Sequence, residues 1–162
     1  MSHSIEVARV ALFLSKGLNK KGQRIDLLLV EAASLLHDLA KTECLKTKED
    51  HARAGSQLLK EMGFERVGEV VAEHVLLSRE GDPSSVSEEE VVNYADKRVM
   101  HDRVVSLKER FKDLRDRYGR GQRPMEYMDR MEKAMYRIEK KVFLILQIDP
   151  NDLQRLQMEW KD

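Results

Sequence analysis

Leu35-Leu36-His37-Asp38-Leu39-Ala40-Lys41 closes an apolar run that begins at Ile25. Leu27, Leu28, Leu29, Val30, Ala32, Ala33, Leu35 and Leu36 leave no polar face, so a helix here is expected to be buried nearly all round and to end near Lys41. Two ionisable side chains at the end of such a helix cost free energy unless something pairs them. One reading is a hydrogen-bonded His37–Asp38 pair. The other is a metal ion, since neutral imidazole and ionised carboxylate both suit Zn, Fe or Mn. Neighbours on a helix project about 100° apart, so both side chains can reach one ion lying between their directions. Lys41 lies four residues after His37 and three after Asp38, on the same side, where it would add a positive charge for an anionic substrate.

The surrounding chain narrows the possibilities. Its 162 residues suffice for one domain with a real core. Lys plus Arg and Asp plus Glu number 29 each, so no net charge draws it to nucleic acid or an anionic membrane. The single cysteine, Cys44, rules out an internal disulfide and fits a reducing cytosol, so a cytoplasmic location is expected. The best candidate for a membrane span, Ile25 to Ala40, is too short and carries Asp26, Glu31, His37 and Asp38. Met1-Ser2-His3-Ser4-Ile5-Glu6 lacks the basic region of a signal peptide. Three prolines, eight glycines and little strand-like alternation predict an all-α protein.

Taken in order, Ser2 or Ser4 caps a first helix to about Leu18, followed by a turn over 16–24. The second helix ends near Lys41 and a polar loop covers 42–48. Thr47 with Asp50 resembles a capping box for a third helix, about Lys48 to Met62, which Gly63 breaks. A fourth, about Glu65 to Leu77, carries His74 near its end. Ser87 and Glu90 form a capping box for a fifth, which runs past Met100 or bends near Asp102. Val104 to Tyr118 is helical, 119–123 is a basic loop, and Pro124 suits the first turn of a long helix from about Met125 to Gln147. A short last helix ends in Trp160.

Groups able to ligate a metal fall on successive segments: His3, then His37 with Asp38, then His51, His74 and finally Asp96 in the apolar setting Val91-Val92-Asn93-Tyr94-Ala95. That order, with the wording LLHDLAK (35–41), DHARAGSQLL (50–59), VVAEH (70–74) and NYADKRV (93–99), resembles the HD superfamily of metal-dependent phosphohydrolases over about residues 3 to 103. The phrase from Ala95 through Phe111 is similar to a bacterial HD subgroup whose domains occur alone or fused behind nucleotidyltransferases. The resemblance implies an HD-type helical bundle over 1–104 and a helical extension over 105–162 packed on it. It implies one ion held by His3, His37, Asp38 and Asp96, and in two-metal members a second at His51 and His74 with Asp38 bridging. Glu73-His74-Val75 departs from the dinucleoside tetraphosphate hydrolases, and no Gly-Tyr-Pro signature links the chain to the cyclic-di-nucleotide phosphodiesterases. The metal site therefore carries over better than any substrate.

The implied activity is hydrolysis of a phosphate ester or anhydride, of a nucleotide or related phosphorylated small molecule, by metal-activated water. Phosphoryl transfer needs mainly positioning and electrostatics, which cations beside Lys and Arg supply. Fe or Mn leads the metals expected, with Co, Ni or Zn as alternatives, because the ligands are imidazole and carboxylate. Asp38 and Lys41 are the expected catalytic groups; Lys41, Lys97 and Arg103 are the expected phosphate-binding groups. Arg103 is included because seven residues separate it from Asp96, two turns of a continuous helix. His101 points off that face and is read as a non-ligand, and Glu6 as a solvated carboxylate. Residues 97–141 hold fifteen Lys or Arg against eight Asp or Glu, but the signs alternate, which describes a solvated helix face better than a surface for nucleic acid or a polyphosphate. Val142-Phe143-Leu144-Ile145-Leu146 and Ile148 are expected to be buried, on the core or in a homodimer seam. The competing class is a non-catalytic sensor or partner-binding module on the same bundle.

Overall fold

Helix α1 (Ser2–Lys20) supplies Val7, Val10, Ala11, Leu14 and Leu18 to the core, all fully buried. The structure is a computed structural model that describes residues 2–79 and 81–159; Trp160 lies outside them. Within these residues α1 packs on α2 (Leu27–Leu36), α6 (Glu88–Arg98) and α8 (Gln122–Leu146). Helices α3 (Lys41–Thr47), α4 (His51–Glu61), α5 (Glu65–Ala72), α7 (Leu107–Tyr118) and α9 (Asp152–Glu159) complete an all-α bundle. The described residues include one short antiparallel hairpin, β1 (Val99–Met100) with β2 (Arg103–Val104). No helix among them is long and apolar enough to cross a membrane.

Helix α2 starts where Asp26 accepts hydrogen bonds from the Leu28 and Leu29 N–H groups, a cap worth about 1 kcal/mol. It ends at Leu36, five residues earlier than expected. Residues 37–40 form a turn closed by Leu39 N–H to Leu36 O and Lys41 N–H to Asp38 O. The segment expected as a polar loop is α3, terminated by Lys48 in a left-handed conformation. Its sequence, KTECLKT, buries only Cys44, so it lacks the apolar stripe that would announce a helix. Nor is α2 buried all round: Val30, Ala33 and Ser34 face inward, while Leu28 is 78% exposed.

Helix α4 begins at His51, capped by Asp50 through the Ala52 and Arg53 N–H groups; the Thr47 capping box does not form. Helix α5 stops at Ala72, which leaves His74 in the turn beyond it. The Ser87–Glu90 capping box is present. Helix α6 carries an almost continuous buried surface, including Asn93, Asp96, Lys97 and Arg98, and stops at Arg98. His101 then takes a left-handed conformation at the hairpin turn, and Val105 N–H closes on Arg98 O. The helix therefore does not run past Met100. From α8, Met128, Met131, Met135, Ile138, Val142, Phe143 and Leu146 form the buried stripe. Leu144 of the expected apolar patch is instead 74% exposed.

Arg98 ties the N-terminal helices to the chain that follows. Its side chain is fully buried, donates to the carbonyls of Val105 and Pro150, and pairs with Glu139 of α8 at 3.1 Å. The Tyr94 hydroxyl bonds both Arg98 and Glu139. A buried guanidinium is tolerable only because its planar fork is met on several sides.

Candidate metal centre

Five separate segments bring ionisable side chains to one place. His3 comes from the first turn of α1, His37 and Asp38 from the turn after α2, and His51 from the start of α4. His74 follows α5, and Asp96 sits near the end of α6. Ending α2 at Leu36 and α5 at Ala72 puts His37, Asp38 and His74 in turns rather than along helix faces.

Two sets of atoms converge, each within 4.8 Å: one from His3, His37 and Asp38, the other from Asp38, His51 and His74. Asp38 divides its carboxylate between them. Oδ2 lies 3.5 Å from His37 Nε2, and Oδ1 lies 3.4 Å from His51 Nε2 and 3.7 Å from His74 Nε2. Asp96 joins the first set through Oδ1, 3.0 Å from His3 Nε2 and 3.5 Å from His37 Nε2.

Backbone carbonyls orient three of the imidazoles. His37 Nδ1–H donates to Ser34 O at 2.7 Å, His74 Nδ1–H to Val71 O at 2.7 Å, and His3 Nδ1–H to His101 O at 3.1 Å. In the neutral ring each Nε2 is then a bare lone pair aimed at carboxylate oxygens. Acceptors facing acceptors repel unless a cation lies between them or an imidazole is protonated. His37 Nε2 is buried and has no hydrogen-bond partner, as expected of a ligand atom. The donor set thus fits a divalent transition ion at either group.

The electrostatics agree. Burial opposes ionisation of Asp38, but the facing His51 and His74 imidazoles, the His37 charge and Lys41 hold it far below the usual carboxylate range. Asp96 is likewise held ionised against its burial, by the Lys97 charge and by His3 and His37. Burial would lower His37, yet Asp96 and Asp38 outweigh it and the net direction is up. His74 goes down, because burial dominates there.

A family model described as the HD domain matches residues 1–109. The chain belongs to the HD-domain family. No curated protein and no solved structure matches it. Membership places the chain in a superfamily of metal-dependent phosphohydrolases, whose domains bind divalent metals.

Within this HD domain the other expected residues divide. Lys41 Nζ contacts Asp38 Oδ2 at 2.6 Å and is 46% exposed at the edge of the cluster. Lys97 is buried, with Nζ bonded to Asp96 Oδ2 at 2.7 Å and His74 O at 2.9 Å, so two of its three donors are taken. Arg103 does not share a helix face with Asp96, because α6 ends at Arg98 and Arg103 stands exposed on β2. Glu6 is buried, 4% exposed, and not solvated. The His101 ring is not at the cluster, but its carbonyl holds His3, a role that spacing could not disclose. A cavity of about 570 Å³ opens on Asp38, His51, His74 and Asp96, and its far wall comes from α7 and α8. The sequence reading of 97–141 as a solvated helix face missed that wall, since its residues are distant in sequence from every ligand.

Proposed function

We propose that this HD domain is a hydrolase of phosphate esters or anhydrides, acting on a nucleotide or related phosphorylated small molecule. The observation that carries the reading is the set of Nε2 atoms fixed by backbone carbonyls around two ionised carboxylates, at one end of a ligand-sized cavity. His3, His37, Asp38 and Asp96 would hold one ion, and Asp38, His51 and His74 a second, with Fe or Mn first among the candidates. Bound there, the cations supply Lewis acidity and lower the pKa of water.

The chain's own groups do the rest. The carbonyls of Ser34, Val71 and His101 keep three imidazoles in the ligating tautomer. Asp38 orients the attacking water. Lys41 has two donors left for a phosphoryl oxygen, and Lys97 has one. In this reading residues 1–104 carry the metals and 105–162 form an extension that helps to enclose the substrate. The single, buried Cys44 suits a reducing compartment, and we place the activity in the cytoplasm.

The test is metal analysis of gently purified protein, followed by a screen of mononucleotides, dinucleoside polyphosphates, cyclic nucleotides and sugar phosphates with Mn, Fe, Co and Ni. The expected result is one or two equivalents of metal and metal-dependent release of phosphate or nucleotide. Tight metal uptake with no hydrolysis of any compound would favour the sensor class. Absence of both uptake and hydrolysis would end the reading.

A further inference from the structure

The cavity has two unlike walls. One is the cluster of Asp38, His51, His74 and Asp96. The other comes entirely from α7 and α8, beyond the residues that match the HD domain. That second wall adds Arg110, Arg117 and Arg123 to the lining and no carboxylate, so the cavity favours an anion even before any metal is counted.

Arg110 differs from the other two. It is only 9% exposed, and its Nε is buried with no hydrogen-bond partner. Its one bond is Nη1 to Asp113 Oδ2 at 3.3 Å. Nε itself is closed off, so the donors that Arg110 can offer an anion in the cavity lie at its Nη end, where Nη2 is left without a bond among the described residues. Beside it the lining is apolar or aromatic: Leu114 from α7, and Tyr127, Met128 and Met131 from α8. Tyr127 is half-buried, and burial raises its phenol above the ordinary value. Methionines flanking an aromatic ring make a polarisable surface suited to another flat ring.

We propose that the α7–α8 hairpin selects the substrate: Arg110 donates to an anionic oxygen, and Leu114, Tyr127, Met128 and Met131 grip an organic group that contains an aromatic ring. The substrate class is then an aromatic-ring-bearing phosphate compound rather than an open-chain phosphate. The inference rests on the phosphohydrolase reading only for the position of the phosphate at the cluster.

Binding without turnover tests it independently of hydrolysis. Phenylphosphonate, n-propylphosphonate and inorganic phosphate are titrated calorimetrically into the Mn-loaded full chain. Phenylphosphonate is expected to bind at least about tenfold tighter than n-propylphosphonate, from ring contact and extra burial. Arg110→Met weakens all three probes by about tenfold or more, and Arg110→Lys recovers part of the loss. Tyr127→Ala and Met131→Ala cut the phenyl preference to under about threefold and leave inorganic phosphate within about twofold of wild type. Melting curves confirm that each variant is folded; if Arg110→Met does not fold, Arg110→Lys and the Tyr127 and Met131 variants decide. Equal affinity for the phenyl and propyl probes, unchanged binding in the Arg110 variants, or no binding of any probe overturns the proposal. A phenyl preference in a protein that hydrolyses nothing would retain the pocket assignment while removing the phosphohydrolase reading.

Discussion

Asp38 is the residue on which the most depends, because each of its oxygens faces a different set of imidazoles. Asp38→Ala is expected to abolish metal retention and lower any hydrolysis found by at least about 10²-fold, the range for loss of a principal electrostatic group. Elemental analysis and initial rates check this. Added metal should rescue stripped wild type but not the variant. Circular dichroism should be unchanged, since the core is built from apolar side chains of several helices, α1, α6 and α8 foremost, and not from this carboxylate. A variant with full metal and full activity would remove Asp38 from the mechanism. Arg98 is the corresponding residue for stability. Arg98→Met removes the ion-pair partner of Glu139 and one donor from each of two carbonyls at once. A loss of about 3–5 kcal/mol in urea-induced unfolding is expected. A loss below about 1 kcal/mol would mean that the buried network is dispensable.

Among the elements, the α4–α5 pair shows how closely two helices approach. A Cβ on Gly68 would stand 2.8 Å from the backbone oxygen of Ser56, which cannot rotate away. Gly68→Ala gains helix propensity and still is expected to destabilise by about 1–3 kcal/mol, because the helices must separate. Because α4 presents His51 and α5 leads into His74, metal affinity should fall as well. Parallel denaturation and metal titration would show both effects, and a more stable variant would contradict the packing. The break between α2 and α3 works in the opposite sense. Apolar periodicity carried the helix on to Lys41, but the chain turns after Leu36 and delivers His37 and Asp38 together to the cluster.

At the scale of the molecule, the candidate ligands come from five segments between His3 and Asp96, so an ion that binds only the folded chain links them all. Free Mn at about 100 times its dissociation constant should add about 2.7 kcal/mol to stability. Scanning calorimetry should show a lower melting temperature after treatment with a chelator and recovery on adding Mn. Identical curves with and without metal would contradict binding at this cluster. Helix α8 is tied to α6 through Arg98–Glu139 and the Lys141–Glu90 pair at 2.7 Å, and to the core through its buried stripe.

Local chemistry wrote much of this protein legibly. Helical periodicity, the Ser87–Glu90 box and the glycine after α4 declare the bundle, and His3, His37-Asp38, His51, His74 and Asp96 are few enough to stand out by order alone. What one dimension could not express is where helices stop and which distant groups meet. A continuous-helix argument put Arg103 beside Asp96, but closing the hairpin with a left-handed His101 sends Arg103 to solvent and turns the His101 carbonyl onto His3. Counting charges treated Arg98 as one of many cations, although burial makes it the joint between α6 and α8. Arg110 and the methionines of α8 read as ordinary helix residues until the fold sets them across a cavity from the cluster. Most of the helices and the types of donor side chain follow from neighbours along the chain, whereas α3, with no apolar stripe in KTECLKT, does not. The cavity and its second wall exist only in the closed fold, because side chains up to about ninety residues apart meet only once the backbone has closed.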